Sequence, residues 1–155
     1  MSIAIKLGNL KIRHLPMRQP ALVERNASIR ETIEVMKACQ LGCALICDKG
    51  RLIGLFTERD LLNRVICEPV AYESGIEQVM TPNPVKLSPD DSVIEAMRLM
   101  EEGDYRNIPL VDDQEHAAGI VTVRDLVSYL AEHFPKEALN LPPDTAQRMR
   151  HAEGA

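Results

Sequence analysis

The run Gly54-Leu55-Phe56-Thr57-Glu58-Arg59-Asp60 returns 65 residues later as Gly119-Ile120-Val121-Thr122-Val123-Arg124-Asp125. Upstream, Pro20, Ser28, Glu31, Met36 and Asp48 recur as Pro84, Ser92, Glu95, Met100 and Asp112, at a spacing of 64. One extra residue therefore enters the second copy after Asp112. Repetition at a fixed period means one structural unit built twice. Two such units related by an approximate two-fold enclose paired clefts between them.

Around that run, each copy reads in the same order. In the first, Ala21-Leu22-Val23 predicts a short strand. Ser28 with Glu31 three residues on has the form of a capping box, and Ile29, Ile33 and Met36 follow at helical spacing. Gly42 is expected to close that helix. Ala44-Leu45-Ile46-Cys47 and Leu52-Ile53-Gly54-Leu55-Phe56 read as strands, and Asp48-Lys49-Gly50 is a turn short enough for a hairpin. A helix then runs from Thr57 through Ile66. In the second copy Val85-Lys86-Leu87 is the short strand. Val93, Ala96, Met97 and Met100 form the helical stripe, and residues 108–111 and 119–123 are the strands. A last helix begins at Thr122. The expected fold class is α/β (α+β): two β-α-β-β-α units packed by pseudo-two-fold symmetry, each with a right-handed strand–helix–strand crossover. The expected organisation is a leader over 1–14, unit one over 15–66, a connection over 67–78, unit two over 79–130 and a polar tail over 131–155.

A unit of about 60 residues has a marginal core by itself, so the two are expected to pack as one module. The chain has 155 residues, 45% of them hydrophobic and 26% charged, with no Trp, so its core must be aliphatic. The net charge of -5 argues against broad nucleic-acid or anionic-membrane binding, although a local cluster of Arg and Lys still suits a compact anion. With no apolar stretch of membrane-spanning length and no signal-peptide pattern, the expected location is cytoplasmic. Cys39, Cys43, Cys47 and Cys67 fit a reducing compartment. The first three are spaced by four, but Gly42 and the strand that follows it break any shared helical face. They read as small buried apolar residues, and no metal site is expected. There is no Ser-His-Asp order and no Walker loop, so no enzyme activity and no catalytic residue is expected.

Each Gly-hydrophobic-x-Thr-x-Arg-Asp run places Thr and Asp three apart at a strand-to-helix junction. Backbone N–H groups collect there and favour anions. Asp can accept from a vicinal diol such as a ribose, and Arg can hold phosphate through paired donors. Thr-x-x-Asp is equally an N-cap. Both readings are open at this stage, although capping does not explain an Arg in both copies.

With Met80-Thr81-Pro82-Asn83-Pro84-Val85, Asp91-Ser92 and Tyr105-Arg106-Asn107-Ile108-Pro109-Leu110-Val111-Asp112, these runs resemble a pair of cystathionine-β-synthase (CBS) domains. That tandem is often called a Bateman module. The resemblance covers about residues 15–130 and extends to small stand-alone bacterial CBS-pair proteins. The first unit departs from the pattern at Leu15-Pro16-Met17-Arg18 and at Cys43-Ala44-Leu45-Ile46.

The resemblance implies a non-catalytic regulatory sensor that binds AMP, ADP or ATP between the units and signals to an unidentified protein partner, most often as a homodimer. One cleft would use Thr57 and Asp60 on the ribose and Leu55 against the base, with Thr81, Lys86, Tyr105 and Arg106 from the second unit. Its phosphate candidates are Lys86, Arg106 and Arg59. The other would use Thr122, Arg124, Asp125, Ile120 and Asn107 facing Met17, Leu22, Leu41 and Gly42. The positions of Thr81, Lys86 and Arg106 in the first cleft are Met17, Leu22 and Gly42 in the second, so the Asp60 cleft is expected to favour the charged nucleotide. Alternative readings are a dimerising scaffold without a nucleotide ligand and an S-adenosylmethionine sensor. Among single residues, Lys86 also reads as a solvated side chain, Arg106 as a partner for Asp104, and Tyr105 as cover for the core edge.

Overall fold

The computed structural model describes residues 3–16, 18–68 and 70–134. Met17 and residues 135–155, most of the expected tail, lie outside the described residues.

In the first half, β1 (Leu22–Glu24) leads through α2 (Ile29–Cys39) to β2 (Cys43–Asp48) and β3 (Arg51–Thr57), following α1 (Ile3–Gly8) near the start of the chain. Ser28 caps α2 by accepting from the Glu31 amide, and the Glu31 side chain returns to the Ser28 amide. β1 and β2 are parallel, as a crossover requires, and β2 and β3 form an antiparallel hairpin. Asp48 pairs with Arg51, so Lys49 and Gly50 form a two-residue turn with φ of 52° and 87°. Positive φ at both central positions matches the strands' own twist. The second half repeats the order with α4 (Val93–Gly103), β5 (Asn107–Val111), β6 (Ala117–Thr122) and α5 (Val123–His133).

Three local expectations are corrected. The first helix is closed by Gln40, not Gly42: Gln40 takes the left-handed conformation (φ 55°), and the Leu41 amide reaches back to the Met36 carbonyl. Asp104 does the same for α4. Val85-Lys86-Leu87 is not a strand but a single parallel bridge from Leu87 to Leu110, in a stretch where Pro84 and Pro89 offer no N–H. After Thr57 the chain makes one α-turn, α3 (Glu58–Asp60), and continues as a π-helix over Leu61–Ile66, whereas its counterpart α5 is regular.

The two-fold is visible in the hydrogen bonds. Arg51 and His116, equivalent positions 65 apart, form an antiparallel bridge with each other. The Leu52 amide donates to the Glu115 carbonyl and the Ala117 amide to the Gly50 carbonyl, each at 3.0 Å. These two bonds are symmetry mates in the repeat. One central cluster holds repeat counterparts from both halves, Cys47 and Val111, Leu52 and Ala117, Leu55 and Ile120, together with Cys43 and Leu45.

Each half borrows a segment to finish its own core. Ile12 N donates to Asp91 O and Val93 N to Leu10 O; Ile76 N donates to Ala27 O and Ile29 N to Ser74 O. Every one of these bonds has its equivalent 64 residues away. Leu7, Ile12 and Leu15 thereby enter the core of the second half, with Val93, Ala96, Met100 and Ile108, while Ile76 and Val79 enter that of the first. The repeated contacts thus run upstream of residues 15 and 79, where periodicity places the unit starts. From Met80 the chain crosses over: β4 (Thr81–Pro82) pairs antiparallel with β3, in a sheet ordered β1-β2-β3-β4. Gly54 permits that approach, because a Cβ there would collide with the Met80 side chain. No described helix is long and apolar enough to cross a membrane.

Ile12 is fully buried. Ile12→Ala is expected to lower the unfolding free energy in urea by about 3 kcal/mol, against about 0.5 kcal/mol or less for a residue in a free leader. The thiols give a second check. Cys43 and Cys47 are buried, and Cys39 and Cys67 are exposed. Burial pushes the Cys43 thiol up to about 12 and the Cys47 thiol to about 11, with Glu58 and Glu24 adding in each case. The thiolate is the reactive form. Two thiols are therefore expected to react with an aromatic disulfide at pH 8 in the native protein, and all four in denaturant; four reacting at once in the native protein would contradict this packing.

Candidate functional site

At the end of β3, Thr57 is extended (φ -120°, ψ 167°) and its side chain turns onto the helix that follows. Thr57 Oγ1 accepts from the Asp60 amide at 3.2 Å. Asp60 Oδ2 accepts from the Thr57 amide at 3.0 Å and from Thr57 Oγ1 at 3.2 Å. Thr122 and Asp125 repeat the reciprocal cap, at 3.1 Å and 3.3 Å. Capping is thus real in both copies, and it uses Oδ2 only. The other oxygen, Oδ1, faces an arginine in each case: Arg64 Nε at 3.6 Å from Asp60, and Arg18 Nε at 3.3 Å from Asp125. Both carboxylates are nearly buried, with side chains 12% and 10% exposed.

The Asp60 motif meets the second half directly. Arg59 Nη1 lies 3.7 Å from Asp104 Oδ2, which joins the start of the helix after β3 to the end of α4. Asp104 leads into Tyr105 and Arg106. Arg59 rather than Arg106 thus takes the neighbouring acid, and Arg106 is exposed with no ion pair among the described residues. The Tyr105 ring is partly exposed and folds back over Gly103, where a Cβ would strike it. Thr81 reaches the same edge by pairing with Leu55 in the sheet. Leu55 and Ile120 are buried in the central cluster, 9% and 2% exposed, so only a rim of Leu55 is open to a ligand and almost none of Ile120.

Lys86 is drawn elsewhere. Its Nζ is 2.9 Å from Glu115 Oε1, and Arg51 shares the same carboxylate at 3.4 Å. Hydrogen bonding and charge from Lys86, then from Arg51, hold the Glu115 carboxyl below its ordinary range. Glu115 bridges the hairpin tips at the axis, six residues along β3 from Thr57, or about 20 Å of extended chain. Lys86 is thus committed to Glu115, Arg64 is the cation in contact with Asp60, and Arg59, next to Asp60 in the chain, links it to Asp104.

At Asp125, Asn107 pairs with Thr122 in the sheet and Arg124 is exposed without an ion pair among the described residues; Leu22, expected opposite them, is exposed and pairs with Leu45 in the first half's sheet. Leu41 and Gly42 are half-buried, and Gly42 lies under the Glu58 carboxylate, 3.0 Å from where its Cβ would stand. Arg18 supplies the contact from the first half. Sequence reading missed both Arg64 and Arg18. Arg64 carried a signal, since it stands four residues after Asp60 on a helix. Arg18 carried none: 107 positions separate it from Asp125.

The CBS domain family model matches residues 12–66 and 76–132. An uncharacterised 33.4 kDa protein in the ribosomal RNA operon of Thermofilum pendens is 34% identical over 113 residues, taking in 72% of this chain and 37% of that protein. The chain spans between 19% and 37% of the length of the first curated relatives it matches. Among solved structures, the CBS domain protein PAE2072 of Pyrobaculum aerophilum, complexed with AMP, superposes with a TM-score of 0.71 at 22% identity, over 76% of this chain and 90% of that one. The CBS domain pair of protein MJ0100, in complex with 5′-methylthioadenosine and S-adenosyl-L-methionine, superposes with a TM-score of 0.72 at 24% identity, over 79% and 96%. At such identities the likeness shows the fold. With both of its repeats matched, the chain belongs to the CBS-domain family as a tandem pair.

Proposed function

We propose that the chain is a regulatory sensor that binds an adenine nucleotide at the Asp60 cleft and signals to a protein partner. The observation that carries this reading is the Arg59–Asp104 contact, which brings the Thr57/Asp60 cap of one half against the Tyr105/Arg106 segment of the other. The nearly buried Asp60 carboxylate has one oxygen outside the cap, and Arg106, two residues after Asp104, has no acid partner among the described residues. That is the pairing a ribose diol and an attached phosphate call for. The AMP complex of the Pyrobaculum aerophilum protein and the methylthioadenosine and S-adenosylmethionine complex of MJ0100 support the adenosyl class. AMP, ADP or ATP is favoured over S-adenosylmethionine because Arg64 contacts Asp60 and Arg59 adjoins it, and a cationic sulfonium would meet them unfavourably.

A homodimer belongs to the same proposal. Leu62 and its repeat counterpart Val127 are 54% and 59% exposed, and Ile66 is 55% exposed, so equivalent helices of both halves show apolar side chains to solvent. A second copy would cover them. The satisfied caps favour one other reading, a scaffold in which Thr57, Asp60, Thr122 and Asp125 are purely structural.

Calorimetry separates the two. The native protein is expected to bind AMP saturably, and Asp60→Ala to weaken it by roughly tenfold or more, as loss of charge-assisted hydrogen bonds predicts. Asp125→Ala is expected to cost less. A larger loss from Asp125→Ala would reverse the ranking of the clefts. Absence of heat and of thermal stabilisation with AMP, ADP, ATP and S-adenosylmethionine would leave the scaffold.

A further inference from the structure

A cap needs one carboxylate oxygen, yet at both clefts the second oxygen is tied through an arginine to the segment that crosses between the halves. At Asp60 the tie is indirect. Arg64 Nε faces Asp60 Oδ1 at 3.6 Å, and Arg64 Nη1 donates to the carbonyls of Val79 (3.2 Å) and Met80 (2.8 Å). Those two residues end the segment docked on the first half and lead straight into β4, where Thr81 pairs with Leu55. At Asp125 the tie is direct, because Arg18 itself stands on the equivalent crossing segment.

The two arginines are not repeat mates. The counterpart of Arg64 is Tyr129, and that of Arg18 is Pro82. Two unrelated positions thus supply the same link. Arg64 also belongs to the π-helix Leu61–Ile66, a form that is rare and concentrates at functional sites, while the counterpart helix is regular.

We propose that Arg64 and Arg18 are positioning residues that couple each diol-binding carboxylate to its crossing segment. The inference rests on the sensor reading and gives it a route. Docking of residues 79 and 80 holds Arg64, and Arg64 holds Asp60 Oδ1 facing the cleft. A hydroxyl donor at Oδ1 binds best when the segment is docked. Reciprocity then requires that binding favour docking by the same factor. The ligand thereby acts on the strand that joins the two halves, and occupancy changes how firmly they are held.

The test compares AMP with 2′,3′-dideoxy-AMP on the native protein and on Arg64→Met, which keeps length and apolar packing without the charge. In the native protein AMP is expected to slow amide exchange at Val79, Met80 and Asn83, and dideoxy-AMP to bind more weakly with no such effect. In Arg64→Met the ratio of AMP affinity to dideoxy-AMP affinity is expected to fall about tenfold, and the AMP-dependent protection is expected to vanish. Arg64→Lys should recover part of both. A merely structural Arg64 would lower both affinities alike. That outcome, or native AMP affinity and protection in Arg64→Met, overturns the coupling while leaving the sensor reading intact. No AMP binding by the native protein removes the sensor reading and the coupling together. Should Arg64→Met fail to fold, Arg18→Met tests the same claim at Asp125: the difference between AMP and dideoxy-AMP at that cleft should shrink, and an unchanged difference overturns it.

Discussion

Neither half of this chain can close its own core, and that constraint organises the rest. The core of the second half needs Leu7, Ile12 and Leu15 from the start of the chain, and that of the first needs Ile76 and Val79 from the connection. A short unit exposes too much of its surface to be stable alone. Exchanging the leading segments adds buried apolar area to each half and forces the chain to cross between them twice. The second crossing carries β4, which pairs with β3 beside Thr57. Stability and the geometry of the candidate site therefore come from the same exchange.

The exchange also explains why the site is composite. The acid and its cap sit at the end of β3 or β6, where strand gives way to helix, because Thr and Asp three apart can satisfy each other there. The opposing wall comes from the other half because the axis passes between Arg51 and His116 and sets the two sheets face to face. Apolar equivalents such as Leu55 and Ile120 share the central cluster.

Most of the architecture was legible because the repeat carried it twice. Ser28 with Glu31, Thr57 with Asp60 and the Lys49-Gly50 turn are local devices whose chemistry is complete within four residues. What could not be read was non-local. Residues 1–14 look like a leader because their partners, Asp91 and Val93, lie some eighty positions away. Gly42 looked like a helix stop because glycine so often is one. Its bare face instead accommodates Glu58, and Gln40 performs the stop. Lys86 matched a phosphate role by position, but the choice between a phosphate and Glu115 depends on a hairpin tip brought up by the two-fold. Arg59 and Arg106 show the same limit: sequence offered Asp104 to Arg106, and the packing of the halves hands it to Arg59.

The near-symmetry of the backbone makes the inequality of the clefts a matter of a few side chains. Arg106 in one opening corresponds to Gly42 in the other, and Val123 corresponds to Glu58. At the first opening the chain offers a guanidinium with an apolar residue behind it, since the Val123 amide bonds the Arg106 carbonyl. At the second it offers no side chain at position 42 and lays a carboxylate over the gap, with the Glu58 amide bonding the Gly42 carbonyl. Two substitutions thus reverse the local charge on an unchanged backbone. Under the proposed sensor reading, this difference in side chains is the ground for ranking the Asp60 cleft above the Asp125 cleft for a phosphate-bearing nucleotide.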